Sequence, residues 1–330
     1  MYSYKDIAIV ILNWNGKSLL EQCLPSVVNY SNNAQIYVAD NASTDDSIAF
    51  IKTNYPNITI IKNSKNLGFA EGYNLALASV KEPLFCLLNN DAEVTPQWLE
   101  PILDLYNTQE NLAIVQPKIL DYNKRDTFEY AGAAGGFIDK YGYPYCRGRI
   151  FNHIEKDTGQ YDDVKEILWA SGACFFIKSS VYKKLGGFDN SFFAHMEEID
   201  LCWRAFNQNF KIVYAGYSTV YHIGGATLSN QNPKKTYLNF RNSLYALTKN
   251  TDKNLFGRLF VRLILDGIAG LRFLLQLKIS HFFSILKAHF SFYSKFPRLL
   301  KQRRGLIQRA GYYKISSIVW SYFILKKTQF

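Results

Sequence analysis

The chain has 330 residues, 48% apolar and 16% aromatic, which excludes a disordered or low-complexity protein and fits one large α/β domain of roughly 200–250 residues plus an appended segment. Its formal charge of +11 is lopsided: from Lys253 to Phe330 fifteen Lys/Arg face the single acid Asp266, so the rest of the chain is slightly acidic. Because those cations alternate with Phe, Leu, Ile, Tyr and Trp, they suit an anionic membrane surface and argue against nucleic acid, whose basic patches carry fewer bulky aliphatics.

Met1–Val10 enters an apolar run without a basic leader or a small-residue cleavage site, so no export signal is expected. Five scattered cysteines without CxxC spacing read as buried thiols of a reducing compartment. Short β-rich runs then alternate with helix-period segments. Strands are expected at Ile7–Leu12, Gln35–Ala39, Ile58–Lys62, Leu84–Leu88 and Ala113–Lys118, and helices at Lys17–Val28, Ser43–Asn54, Ala70–Ser79 and Pro96–Asn107. Such βαβ units build a mostly parallel sheet with helices on both faces, and ligands bind beyond the carboxyl ends of its strands. Residues 121–168 are polar and turn-rich and yield no element. Further on, Cys174–Lys178 reads as a strand, Ser179–Leu185 as a short helix, Glu197 opens an acidic helix, and Lys211–Tyr214 is another strand.

The strand ends carry the chemistry. The first runs into Asn13-Trp14-Asn15-Gly16, the second into Asp40-Asn41-Ala42-Ser43-Thr44-Asp45, and the fourth into Asn89-Asn90-Asp91-Ala92-Glu93. Each alone is an ordinary turn or helix cap. Together with Asn66-Leu67-Gly68-Phe69-Ala70, Asn74 and Glu197-Glu198-Ile199-Asp200-Leu201-Cys202-Trp203-Arg204, their order and spacing over residues 6–225 resemble family-2 glycosyltransferases of the GT-A fold, rhamnosyltransferase-like and galactofuranosyltransferase-like members above all.

The resemblance implies a catalytic domain over 1–228, with a nucleotide-binding half (1–120) and an acceptor-binding half (121–228). A basic amphipathic helical tail over 229–330 would then rest peripherally on the inner face of the cytoplasmic membrane. The donor, a UDP- or dTDP-sugar with rhamnose as first choice, would contact Asn13, Asn15, Asp40, Asn41, Gly68, Asn74 and Asn90. A carboxylate at a strand end can accept from a base or ribose, and a glycine-opened helix start offers backbone N–H groups to phosphate. The family's DxD motif falls on Asn89-Asn90-Asp91, leaving Asp91 as metal ligand; Asp91-Ala92-Glu93 is an alternative register. His222, within Val220–Gly225, is the second ligand. Mg²⁺ prefers oxygen and Mn²⁺ accepts imidazole more readily. Glu198 takes the place of the family's base, usually aspartate, in a single inverting displacement. Trp169, Ser171, Gly172, Glu197 and Asp200 would line or support the sugar and acceptor pocket, with Trp169 able to stack on a pyranose. The acceptor would be a cell-surface glycan or a lipid-linked sugar. Two rival readings are a nucleotidyltransferase, which would carry a glycine- and basic-rich loop after the first strand where Asn13–Leu20 stands, and a degenerate binder without turnover, motivated by Asn89 and Glu198.

Overall fold

A computed structural model describes residues 1–224 and 232–330. The expected Gly225 of the histidine motif, and the boundary placed between 228 and 229, lie outside the described residues. In chain order the first half runs β1 (Ile7–Asn13), α1 (Lys17–Tyr30), β2 (Gln35–Asp40), α2 (Ser47–Asn54), β3 (Thr59–Lys62), α3 (Gly68–Ala78), β4 (Leu84–Asn89), β5 (Ala92–Val94), α4 (Glu100–Thr108) and β6 (Leu112–Asp121). It continues through β7 (Gly136–Ile138), β8 (Pro144–Cys146), β9 (Arg149–Ile150), β10 (His153–Ile154), β11 (Val164–Glu166), β12 (Cys174–Lys178), α5 (Ser179–Lys184), α6 (Glu197–Asn207) and β13 (Lys211–His222). Four helices close the chain: α7 (Pro233–Asn250), α8 (Leu255–Leu275), α9 (Ile279–Arg304) and α10 (Ile318–Phe323).

Nine strands form the main sheet in the order β11-β13-β6-β12-β4-β1-β2-β3, with β5 on β13. The run β4-β1-β2-β3 is parallel, as the alternation of strands and helices requires, because each return crosses a face of the sheet through a helix. Beyond it the sheet is mixed: β12 runs antiparallel to both β4 and β6, whereas β13 is parallel to β6. Strand β1 shows why both faces must be covered. Ala8 and Val10 enter one core while Ile7, Ile9 and Ile11 enter the other, the near-continuous apolar pattern of a strand buried on both sides.

Register decides where the chemistry sits. Asn13 lies opposite Asp40 across β1 and β2, and Leu12 lies opposite Asn89 across β1 and β4. The polar ends of three strands therefore meet at one edge. His222, the last residue of β13, pairs with Ala92 and so stands beside Asp91.

Two departures from the expected elements have physical causes. Strand β13 extends eight residues past Tyr214, because a register shift between Ala215 and Thr219 breaks the alternation in mid-strand. Residues 121–168 hold a separate antiparallel sheet, β10-β9-β8-β7, whose strands span only two or three residues, too short for period-two patterning to show. Ion pairs fasten the region. Lys118 engages Asp157 and Asp162, and Arg147 meets Asp163 at 2.8 Å.

The stretch after residue 232 is no loose appendage. Helix α7 buries Leu244, Tyr245 and Leu247 in the core shared with α6, and its polar residues reach Asp189, His195 and Asp200.

Candidate active site

Asp40 ends β2 with its carboxylate divided between two tasks. Oδ2 accepts from the Ser43 N–H at 3.1 Å, while Oδ1 is buried without any partner. The first N–H of α2 is taken by Asp45, whose Oδ1 accepts from Ser47 N at 3.1 Å. Asp40 thus keeps one free acceptor, which a buried site leaves open only at a cost. Asn13, fully buried, donates to Ser43 Oγ (3.2 Å) and accepts from Asn90 Nδ2 (2.9 Å), and Asn15 Oδ1 accepts from Thr44 N (2.7 Å). Gly16 fits beside this pair because a Cβ there would stand 2.2 Å from Asn90 Nδ2. Short amide and hydroxyl side chains thus tie the strand ends 13–16, 40–45 and 90 into one rigid floor.

The turn before α3 differs from the sequence expectation. Asn41 holds it, donating to Gly68 O (2.9 Å) and Asn66 Oδ1 (3.2 Å). The N–H groups expected to stay free for phosphate are engaged inside the protein: Gly68 N donates to Asn66 Oδ1 (2.9 Å) and Phe69 N to Phe193 O (3.0 Å). Gly68 is needed for its backbone, since its φ is +74° and a Cβ would meet Phe193 O at 2.7 Å. Asn74 is likewise corrected. Its amide bonds to Tyr182 Oη (2.6 Å) and to both backbone groups of Phe188 (2.9 Å each), so it fastens α3 to the segment after α5 and has no polar atom spare for the diphosphate.

Across the sheet edge, Asp91 and His222 form a buried pair with Nε2 to Oδ1 at 3.0 Å, and Asn89 Nδ2 stands 3.3 Å from the same Nε2. Nε2 cannot donate to Asp91 and accept from Asn89 at once. A half-turn of the Asn89 amide, whose oxygen and nitrogen are assigned by hydrogen-bond logic alone, would put three heteroatoms, O, O and N, around one point. Glu129 Oε1 lies 3.5 Å from His222 Nδ1, beyond good hydrogen-bond length. Burial disfavours charge on the imidazole, but the carboxylates of Asp91 and Glu129 outweigh it and lift His222 to about 10. Burial likewise opposes ionisation of Asp91, and His222 more than compensates, holding its carboxyl below the ordinary range. Glu93, the other register considered, turns away to an ion pair with Arg125 at 2.8 Å. Among the described residues, no three His, Cys, Asp or Glu side chains converge as a complete metal cage. Asp91, His222 and the amide of Asn89 are nonetheless a donor set, two oxygens and one imidazole nitrogen, that would suit a divalent cation.

Glu198 lies in the first turn of α6, near Gly172, where a Cβ would be 3.9 Å from its Cδ and 3.4 Å from Phe69 Cζ. Its side chain is half-buried, yet Oε2 is sealed from solvent with no hydrogen-bond partner. Burial pushes this carboxyl up to about 7. Glu197 is buried beside it, also with an orphaned Oε2, and burial reinforced by Glu198 holds its pKa well above the ordinary carboxyl range. Ser171 is buried, its N–H donated to Gln116 Oε1 (2.8 Å) and its Oγ accepting from Ala173 N (3.2 Å).

One expected pocket residue lies elsewhere. Trp169 is 3% exposed, donates Nε1 to Phe137 O at 2.8 Å and packs on Gly136, so it is a core ring with no face open to a sugar. Asp200 does not line the pocket but holds α6 from within, wholly buried in ion pairs with Arg204 (2.8 Å, at i,i+4) and Lys249 (2.9 Å).

The approach to Glu198 is strained. Phe193 (φ 67°, ψ −59°) centres a three-residue turn closed by Ala194 N donating to Phe192 O at 2.8 Å, and His195 and Met196 follow at φ 68° and 73°. Such conformations cost roughly 1–3 kcal/mol each and persist only where surroundings over-determine them. Here the surroundings are Asn242 of α7, whose Nδ2 reaches Phe192 O (3.0 Å), Ala194 O (3.0 Å) and His195 O (2.7 Å). Sequence reading missed Asn242, Phe193 and Glu129. A buried asparagine inside a helix gives no local signal of the loop it holds.

Comparisons with known proteins bear on the family and the fold. The sequence profile described as Glycosyl transferase family 2 matches residues 8–186. The low-salt glycan biosynthesis hexosyltransferase Agl10 of Haloferax volcanii is 24% identical over 290 residues, 84% of this chain and 87% of that protein. The N-acetylglucosaminyl-diphospho-decaprenol L-rhamnosyltransferase of Mycobacterium tuberculosis is 24% identical over 205 residues, 57% of this chain and 66% of that protein. Among solved structures, GalNAc-T7 with UDP, GalNAc and Mn²⁺ superposes with a TM-score of 0.58 at 15% identity over 75% of this chain, which spans only 48% of that one. The mannosyltransferase PcManGT of Pyrobaculum calidifontis, in complex with GDP-Man and Mn²⁺, gives 0.52 at 12% identity, covering 88% of this chain and 75% of that one.

Proposed function

This chain belongs to glycosyl transferase family 2 and has the GT-A fold, and on that premise we propose that it is an inverting enzyme moving a sugar from a UDP- or dTDP-sugar to a hydroxyl of a lipid-linked or cell-surface glycan. The observation that carries the reading is the convergence at one sheet edge of a free Asp40 oxygen, the Asn89–Asp91–His222 cluster and, across Gly68, Phe193 and Phe69, the orphaned carboxylate of Glu198. Asp40 accepts from the base or ribose over the floor made by Asn13, Asn15 and Asn90. Asp91, His222 and the amide of Asn89 would hold a divalent cation, Mn²⁺ suiting the imidazole, and such a cation would supply Lewis-acid neutralisation of the diphosphate. Glu198 takes the proton from the acceptor hydroxyl as its oxygen attacks the anomeric carbon opposite the leaving group. A carboxyl tuned close to neutrality is both available as base and strong enough to act. Gly172 and Ser171 border the base on the acceptor side. Rhamnose is the proposed sugar, supported by the named activity of the mycobacterial relative. Peripheral attachment to the inner face of the cytoplasmic membrane belongs to the same reading, because a lipid-linked acceptor resides there.

Incubating the purified protein with a panel of nucleotide sugars, with Mn²⁺ or with EDTA, tests this. Release of nucleoside diphosphate from one donor, stopped by chelator and restored by Mn²⁺, is expected. Tight nucleotide binding with no release from any donor, acceptor lipids included, would instead mark a binder without turnover, the outcome that Asn89 in place of the family aspartate makes worth scoring.

A further inference from the structure

Helix α8 is built inside out. Its buried side carries Arg258, Arg262 and Asp266 together with Leu255, Leu259 and Gly270. Arg262 pairs with Asp266 (2.8 Å), donates to Gly142 O (3.1 Å) and lies 3.8 Å from the centre of the Tyr143 ring, while Tyr143 Oη donates to Asp266 (2.6 Å). Arg258 engages Asp252, Thr251 and Tyr312. The outward side is Phe256, Phe260, Ile264, Ile268, Leu271 and Leu275, each about half to nearly nine-tenths exposed and spaced three or four residues apart. Helix α9 repeats the pattern with Ile279, Phe283, Leu286, Phe290 and Tyr293 exposed. The two helices pack together where Gly270 meets Phe282 and Ile285. A helix that hides its charges and shows its aromatics in water reverses the usual amphipathic order, and a contiguous apolar surface of this kind marks an interface. Leu259, although next to Phe260 in sequence, faces inward, and the outward row runs on to Leu275.

We propose that this α8–α9 hairpin docks on the surface of an anionic lipid bilayer, lying in the interface without crossing it. Charge selects the occupant. The only acid between residues 253 and 330, Asp266, is fully buried, whereas Lys253, Arg272, Lys278, Lys287, Lys295, Arg298 and Lys301 are exposed around the aromatics. A protein partner or second copy would have to supply a matching acidic rim; a bilayer containing anionic headgroups supplies it everywhere, with acyl chains beneath for the rings. Among the described residues no helix is long and apolar enough to cross a membrane. The hairpin is also well placed for catalysis. Thr236 Oγ1 at the start of α7 bonds to His281 Nδ1 (2.7 Å), and Lys234, two residues earlier, lies over the Phe193 ring at 5.5 Å. The docked surface therefore abuts the acceptor rim, where a lipid-linked hydroxyl would arrive. That last step rests on the glycosyltransferase reading; the docking itself does not.

Flotation of the full-length chain with vesicles of phosphatidylcholine, alone or with one third phosphatidylglycerol, tests the docking without any nucleotide. Binding to the anionic vesicles at low salt, lost at high salt, is expected. It should fall roughly tenfold or more both in the combined variant Phe260→Ser, Ile264→Ser, Phe283→Ser, Phe290→Ser and in the charge variant Lys295→Glu, Arg298→Glu, Lys301→Glu. Donor binding measured in solution should be unchanged in both, which separates failure of docking from failure of the catalytic reading. No binding to anionic vesicles, or undiminished binding by both variants, would overturn the proposal. So would a lipid-free dimer that the serine variant splits, because the face would then be a protein interface.

Discussion

The two sides of the proposed active-site cleft are assembled in opposite ways. On the donor side, Asn13, Asn15, Asp40, Asn41 and Asn90 are placed by parallel strand register at the ends of β1, β2 and β4 and held by bonds among near neighbours in the fold. On the acceptor side, Glu198 stands after a strained turn that α7, some fifty residues later, clamps through Asn242, while Lys249 of the same helix ties down Asp189 (2.7 Å) and Asp200 (2.9 Å). The donor half should therefore tolerate damage to the C-terminal helices. The acceptor half should feel it at once.

The largest effect that would sharpen this contrast is at the base. Glu198→Gln keeps the shape of the side chain and removes its basicity, so transfer should fall about 10²–10⁴-fold while nucleoside diphosphate binds as before. Retention of more than about a tenth of the wild-type rate would mean that another group takes the proton. In the wild type the rate at saturating donor should rise with pH and level off above about 7, because the base works only when ionised and burial raises its pKa. Next in size are Asp91→Ala and His222→Ala, on the donor side of the cleft. Each should weaken metal-dependent binding of nucleoside diphosphate by at least about tenfold, read by calorimetry with and without Mn²⁺. Equal binding in both conditions would return the pair to a purely structural role.

How far the sequence revealed this site follows from the same contrast. Strand ends are local: Asp40 and Asn89 close recognisable apolar runs, and parallel order brings them together without further information. The free oxygen of Asp40 depends on its neighbour: Asp45 takes the Ser47 N–H at the start of α2 and so spares Asp40 that task. Trp169 and Asn74 misled because residue type was read without the partner: Phe137 O for the indole, Phe188 for the amide. The inward charges of α8 were hidden because Arg262 and Asp266 satisfy one another at i,i+4, a spacing that in a lone helix reads as a solvated pair. Glu129 lay in the stretch whose strands are too short to show a period.

The smallest predicted effect is the most specific to the comparison. Asn242→Ala removes the donor that reaches three carbonyls of residues 192–195; Phe192 O keeps Ala194 N and Arg241, but Ala194 O and His195 O lose this partner, which should destabilise the protein by about 1–3 kcal/mol. Stability loss alone would not distinguish this asparagine from any other buried polar residue. Its place does: once the clamp is gone, Phe193, His195 and Met196 can leave their positive-φ conformations, and α6 no longer presents Glu198 at a fixed angle. Small misplacement of a reacting group is costly because near-attack geometry carries much of the rate. The variant should therefore lose roughly tenfold in kcat while donor KM and nucleotide affinity hold, measured at a temperature where circular dichroism shows it fully folded. Asp40 and Asp91 do not depend on α7, which is why KM is the control. A parallel loss in donor affinity would show that the strain at 193–196 is transmitted through Phe193 O to the helix start at Phe69, and that the two halves of the cleft are one mechanical unit after all.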